Sequence, residues 1–392
     1  MKKHVLILGC KNYPAFSSQK VISGGMEVYV WDILRHMKGT YDFTVISGYS
    51  KGDDEVKVIS VPLVGGFALQ PITLCFYSFI IAFWLALFGK KIDLINAQTP
   101  LSGLIGLFLK KLFKIPYVVT VHIFASGKEH VGGFAKMYGV IERVVLKNAD
   151  KVVSAGYQLK RFLDDRYAFP EDHVVVINPG MDIFDNVDVP VSDTIRKELD
   201  DDTFKLLFLG RLIEENGLFD LLEAVKFLRD KPVKLLIAGN GNLEDFVRDY
   251  IEKEQLQEKI KLLGIIKGAE KAYLIKNVDL SIRTSYHEVF PVAYLESIAA
   301  GIPVVATPEG DTEYLAKKTG AITIVPVKQP KAAAEAIEKH RLAGPLTKEV
   351  VDRCREFIRS IGWQQQARAT QDMFDTVIKA REQKNNDTHR NG

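Results

Sequence analysis

The sequence predicts two successive α/β domains, each built on a doubly wound parallel sheet. Three observations lead there. The chain has 392 residues, more than one hydrophobic core ordinarily serves. Short apolar runs alternate with helical patterns along most of its length, the arrangement of repeated βαβ units. The alternation breaks once, at Asn178–Pro179–Gly180, before an acidic, loop-rich stretch at Asp182–Asp202, and then starts again.

In the first half, His4–Gly9 is an apolar run after two lysines and reads as the first strand. A polar loop follows, and Gly24–Gly25 opens a helical pattern in which Val28, Trp31, Leu34 and Met37 share one face. Further strands are expected at Phe43–Ser47, Asp93–Ala97, Tyr117–His122, Lys151–Ala155 and Val174–Asn178. Ile72–Phe88 holds no charge over 17 residues, the lower limit for a membrane span. The strands before and after it should pair in one sheet, so both its ends stay on one side, which argues against spanning. Its apolar surface exceeds what one sheet face needs. Lys90 and Lys91 flank it, and Leu101–Lys114 is a second apolar helix carrying Lys110, Lys111 and Lys114. Apolar helices with basic ends suit peripheral contact with an anionic bilayer.

In the second half, strands are expected at Lys205–Leu209, Val233–Ala238, Ile260–Leu263, Asp279–Arg283, Pro303–Thr307 and Ile322–Val325. Helices read near Phe219–Leu228, Glu244–Glu254, Ala269–Lys276 and Val292–Ala300. Glu349–Arg381 reads as one or two helices broken at Gly362, and the last ten residues as a polar, disordered tail. The expected organisation is a domain over 1–180, a linker over 181–203 and a second domain over 204–360.

The composition, 47% apolar and 26% charged, is that of a globular protein. Cys10, Cys75 and Cys354 lie far apart, so neither a disulfide framework nor a metal-ligand spacing is expected. Met1–Gly9 reads as a strand rather than a signal peptide, which points to the cytoplasm. The net charge of +3 is uneven: +7 over residues 1–178 and −4 over 179–392. A basic first half suits an anionic membrane surface or phosphate. No basic-aromatic motif speaks for nucleic acid. Asp200-x-Asp202 and the series Asp182, Asp185, Asp188 lie in a solvated acidic run without the glycine and glutamate of a calcium loop, so no metal is expected there.

Candidate chemistry gathers at the carboxyl ends of the expected strands. His287–Pro303 is the most informative stretch: after Pro291 it is apolar except for Glu296 and Ser297. A helix apolar all round is buried, and a carboxylate on it needs donors. No Lys or Arg lies in Val292–Val305, so those donors come from elsewhere in the fold or from a ligand. Vicinal ribose hydroxyls fit an acceptor-only carboxylate, and a buried Arg or backbone N–H fits it as well. Glu288 stands eight residues earlier, at the mouth of the same helix, whose first turn offers N–H groups to phosphate. Arg211 follows a strand, and Gly217 opens the next helix, a place for a diphosphate or for pairing with Glu214 or Glu215. Gly239–Asn240–Gly241, Gly264–Ile265–Ile266 and Ser285 end three more strands, and His122 ends one in the first half.

Taken together, Gly24–Glu27 as GGxE, the strand ending in His122, Gly210–Arg211, Gly239–Gly241 and Glu288-x7-Glu296 with its AAGIPVVAT continuation resemble the retaining GT-B glycosyltransferases often called family 4. The resemblance covers residues 1 to about 380. It implies two Rossmann-like domains facing a central cleft, with the C-terminal helix, about 363–382, crossing back to the first domain. It also implies a nucleotide-diphosphate sugar as co-substrate, with no cofactor and no catalytic metal. By that resemblance Glu296 holds the ribose, Glu288 meets the donor sugar, Arg211 meets the diphosphate and His122 faces the sugar on the acceptor side. Gly24, Gly25, Asn216, Gly239, Asn240, Ile265, Ser285, Val289, Phe290 and Val292 complete the candidate donor-binding set. Two departures from the family pattern stand out. Asn216 replaces a usual lysine, and the loop usually written Glu-Gly-Phe-Gly is here Glu288–Val289–Phe290–Pro291.

The implied activity is sugar transfer to an acceptor hydroxyl with retention. A lipid-linked or glycan acceptor at the cytoplasmic membrane face would suit glycolipid, polysaccharide or other glycoconjugate synthesis. The alternatives are a catalytically weak or inactive nucleotide-sugar-binding partner and a nucleotide-sugar epimerase of the same fold. A dinucleotide oxidoreductase lacks its GxGxxG after the first strand.

Overall fold

The computed structural model describes residues 2–14, 25–49, 56–66, 69–123, 132–181 and 191–390. The chain forms two compact units, Met1–Gly180 with Trp363–Gly392, and Met181–Gly362.

The first unit runs β1 (His4–Asn12), α1 (Gly25–His36), β2 (Asp42–Tyr49), β3 (Lys57–Ser60), α2 (Gln70–Phe88), β4 (Leu94–Ala97), α3 (Pro100–Phe113), β5 (Tyr117–Val121), α4 (Gly132–Asn148), β6 (Lys151–Ser154), α5 (Tyr157–Tyr167) and β7 (Val174–Val176). Among the described residues its sheet is parallel, in the order β3-β2-β1-β4-β5-β6-β7. The order grows outward from β1 in both directions, the doubly wound pattern, and it reverses between β1 and β4. Central strands buried on both faces explain the unbroken apolar runs VLIL in β1 and VVTV in β5. The edge strand β3 was not foreseen: Lys-Val-Ile-Ser is short, and its burial is only partial. The C-terminal helix Trp363–Arg390 belongs to this unit. It sets Trp363, Ala367, Phe374, Val377 and Ile378 into the core beside Tyr29, Ile33 and Phe43. It continues to Arg390, so the disordered tail expected from residue 383 is corrected for 383–390. The Lys3–Glu382 ion pair ties this end to the unit.

The helix α2 buries Leu74, Ser78, Ala82 and Leu85, one residue per turn, and leaves the opposite face outward. That face carries Ile72, Phe76, Ile80, Trp84, Leu87 and Phe88, each about half exposed or more. By length and composition α2 is apolar enough to cross a membrane, yet it joins strands of one parallel sheet.

The second unit runs α6 (Asp193–Leu199), β8 (Phe204–Leu209), α7 (Leu218–Phe227), β9 (Val233–Ala238), α8 (Glu244–Lys253), β10 (Ile260–Gly264), α9 (Gly268–Lys276), β11 (Leu280–Arg283), α10 (Val292–Ala299), β12 (Val304–Ala306), α11 (Thr312–Thr319), β13 (Ile322–Ile324), α12 (Pro330–Ala343) and α13 (Lys348–Ser360). Its sheet is parallel in the order β10-β9-β8-β11-β12-β13, reversing between β8 and β11. The region expected as linker contains α6, which buries Ile195 against β8 and β9. The helices α11 and α12 escaped the sequence reading, because alanines, lysines and glutamates blur the apolar stripe there.

Candidate functional site

In the second unit the carboxyl ends of β8 and β9 meet almost without space. A Cβ on Gly239, at φ +152°, would lie 1.8 Å from the Gly210 carbonyl oxygen. The Leu212 N–H donates to the Asn240 carbonyl at 2.8 Å, locking the two turns together. Beyond β8, a short 3-10 turn at Glu214–Asn216 leads into Gly217, left-handed at φ +69°. A Cβ there would stand 1.7 Å from the Thr284 carbonyl oxygen, so only glycine brings this helix start against the end of β11.

Around that junction the predicted residues come together through one that the sequence reading assigned no role. The Arg283 guanidinium donates through Nε to Ser285 Oγ at 2.9 Å and through Nη2 to Asn216 Oδ1 at 2.6 Å. The same Nη2 meets Glu288 Oε2 at 3.2 Å. Asn216 Nδ2 in turn donates to the Arg211 carbonyl at 2.7 Å. Arg211, Asn216, Ser285 and Glu288 are thus one hydrogen-bonded assembly with Arg283 at its centre. The signal for Arg283 was present: a charged residue closing an otherwise uncharged strand, Leu-Ser-Ile-Arg.

Arg211 is exposed, and among the described residues its guanidinium pairs with neither Glu214 nor Glu215. Glu288 Oε1 also accepts the Val289 N–H at 3.2 Å, which holds the carboxylate at the mouth of α10. Pro291 is the N-cap of α10 and not its first helical residue, so no N–H of the first turn is lost to it.

Glu296 is buried at 9% exposure, and its carboxylate pairs with Lys271 of α9. The donor that the local sequence lacked is therefore supplied by the chain itself, 25 positions away. Burial of Glu296 alone no longer requires a ligand. A carboxylate has about four acceptor sites, and one ammonium leaves others open. Phe290 is a core residue at 6% exposure, in one apolar cluster with Tyr294, Leu295 and Met181, so what it can offer a ligand is its backbone. Val292 packs against the same cluster. The Val289 carbonyl accepts the Asp311 N–H at 2.9 Å. Ile265 is half exposed beyond β10, and Lys267 caps α9.

In the first unit His122 follows β5, and its Nε2 lies 3.0 Å from Gln98 Oε1. The ring meets Tyr29 of α1 edge-on at 5.1 Å. Burial pushes its pKa down to about 3, so the imidazole is neutral at ordinary pH. Gly25 begins α1 and is exposed, with open space where a Cβ would stand. Gly24, Asp182, Asp185 and Asp188 lie outside the described residues. Among the described residues no cluster of three His, Cys, Asp or Glu side chains is set to hold a metal. Asp201, inside the acidic run, pairs with Lys205 and Lys234.

Residues 192–356 match the family model described as Glycosyl transferases group 1, and residues 23–183 match Glycosyltransferase Family 4. The chain is 28% identical over 260 residues to an uncharacterized glycosyltransferase of Methanocaldococcus jannaschii, covering 64% of this chain and 66% of that one. It is 26% identical over 267 residues to the alpha-monoglucosyldiacylglycerol synthase of Streptococcus pneumoniae, covering 64% and 60%. The chain thus spans less than two thirds of these curated relatives. Among solved structures, the sucrose-phosphate synthase of Thermosynechococcus elongatus superposes with a TM-score of 0.78 at 18% identity, covering 97% of this chain and all of that one. HepE of Anabaena in complex with UDP and glucose superposes at 0.73 and 17% identity, covering 96% and 100%. At these identities the likeness shows the fold.

Proposed function

Because the chain belongs to the GT-B glycosyltransferases, with a group 1 second unit and a family 4 first unit, we propose that it transfers a sugar from a nucleotide-diphosphate sugar to an acceptor hydroxyl with retention. The observation that carries this is the assembly of Arg211, Asn216, Arg283 and Glu288 at the β8–β11 reversal. Doubly wound sheets take ligands outside the carboxyl ends of their strands at such a reversal. HepE, of the same fold, carries UDP and UDP-glucose in its solved complexes.

In this reading the sugar C1–O bond to the diphosphate breaks, and its electron pair leaves with the diphosphate. The acceptor oxygen bonds to C1 on the same face, and its proton passes to the departing phosphate oxygen. Arg211 and the N–H groups at the start of α10 stabilise the growing negative charge, in place of a metal. Glu288 takes hydroxyls of the sugar, Glu296 those of the ribose, and the neutral His122 serves the acceptor end. The acceptor is lipid-linked, met at an anionic membrane surface through the outward face of α2.

The test is a screen of UDP-, GDP-, ADP- and dTDP-sugars by thermal shift, followed by release of nucleoside diphosphate in the presence of anionic liposomes carrying glycolipid acceptors. A donor at 100 times its Kd should stabilise the protein by about 2.7 kcal/mol. No shift with any donor, together with no release, overturns the reading.

A further inference from the structure

The Arg283 guanidinium stands at the place where the second unit's sheet reverses its strand order. It closes β11, and its Cζ and Nη1 lie 3.6 Å from where a Cβ on Gly210 would sit, at the end of β8. It therefore spans the two strands that flank the reversal. Its side chain is 15% exposed, and three neighbours fix it: Ser285, Asn216 and Glu288. Among the described residues Nη1 has no hydrogen-bond partner, so two N–H groups remain for a ligand.

Asn216 is matched to this arginine. Its oxygen accepts from Arg283 while its nitrogen donates to the Arg211 carbonyl. A side-chain amide does both at once, from two separate atoms. A lysine has no acceptor, and at 216 it would set an ammonium against the guanidinium. The charge missing at position 216 is present at 283, reaching the same turn from the opposite strand.

We propose that Arg283 is a second cation for the donor diphosphate, alongside Arg211, and that Asn216 is the positioning residue that aims it. This rests on the nucleotide-sugar reading. In the transfer step Arg283 meets charge that grows on the leaving diphosphate, and Glu288 shares the guanidinium with it.

The experiment titrates the full-length protein with UDP, GDP and ADP, and with uridine, guanosine and adenosine. Arg283→Met should weaken the preferred diphosphate about 10-fold or more, the scale of one charge-assisted hydrogen bond, and leave its nucleoside unchanged. Asn216→Lys should also weaken the diphosphate. The double variant N216K/R283M should bind it more tightly than R283M, because the ammonium then replaces the guanidinium without repulsion. If R283M does not fold, N216L carries the comparison: it leaves the charge but removes the aim, and diphosphate affinity should fall while nucleoside affinity holds. Wild-type diphosphate affinity in R283M, or in N216L, overturns the inference. So does equal loss of diphosphate and nucleoside, which marks a purely structural rivet, or a double variant no tighter than R283M. A wild-type chain that binds none of the three diphosphates, and dTDP no better, overturns the proposed function as well.

Discussion

Glu296 and Lys271 form a pair of unequal burial: the carboxylate side chain is 12% exposed and the ammonium side chain 27%. Removing the lysine strands the more buried charge. Lys271→Met should therefore lower stability by about 1–3 kcal/mol in urea denaturation, and Glu296→Gln by less. Glu296→Gln should instead weaken sugar-nucleotide binding about 10-fold, measured by calorimetry, if its free lone pairs hold the ribose. Equal stability losses with unchanged binding would reduce Glu296 to a core ion pair. His122 makes a pH prediction. Its folded pKa of about 3 lies below the 6.5 of a free imidazole, so on acidification the unfolded chain takes up the proton first. Stability at this residue is intact above pH 6.5 and is lost as pH falls toward 3. His122→Gln should flatten the fall of Tm with pH across that window. The flattening should be partial, since burial also lowers the pKa of His4 and His340.

At the scale of elements, α2 and α3 pack through Phe79, Phe83, Phe108 and Phe113, leaving Phe76, Trp84 and Phe88 outward. Of the flanking lysines, Lys90, Lys91 and Lys110 are paired with Asp42, Asp93 and Asp150. Lys111 and Lys114 are exposed and, among the described residues, unpaired. Phe76→Ser with Trp84→Ser should abolish co-flotation with anionic liposomes at any salt. Lys111→Glu with Lys114→Glu should weaken it chiefly at low salt, since each lysine near an anionic surface contributes about 1 kcal/mol. Flotation unchanged in both pairs would show that this face does not touch lipid.

At the scale of the molecule, the chain leaves its first unit at Gly180 and returns to it at Trp363. The first core is therefore incomplete until the last helix is made. Phe374 is fully buried among Tyr29, Ile33 and Phe43. Phe374→Ala should cost about 3–5 kcal/mol. A chain ending at residue 362 should keep a cooperative transition for the second unit and lose that of the first, as followed by hydrogen exchange. Full protection of β1 and β5 in that truncation would count against the helix as part of the core.

The sequence by itself determined the fold class and where most of the strands lie along the chain. Its strands are apolar runs closed by Gly, Pro or polar residues, and that local chemistry survives without knowledge of partners. It also determined where to look, since Arg211, Asn216, Ser285 and Glu288 all follow strands. What only the tertiary structure decided were pairings between residues far apart in the chain. Lys271 answers Glu296 across 25 positions, and Arg283 answers Asn216 across 67. No local pattern encodes them, because a buried charge specifies that it needs a partner and leaves the choice of partner to packing. Phe290 looked the same in sequence whether it faced a ligand or the core. The neighbours that bury it, Tyr294 and Met181, meet it only once α10 is folded against the body of the unit.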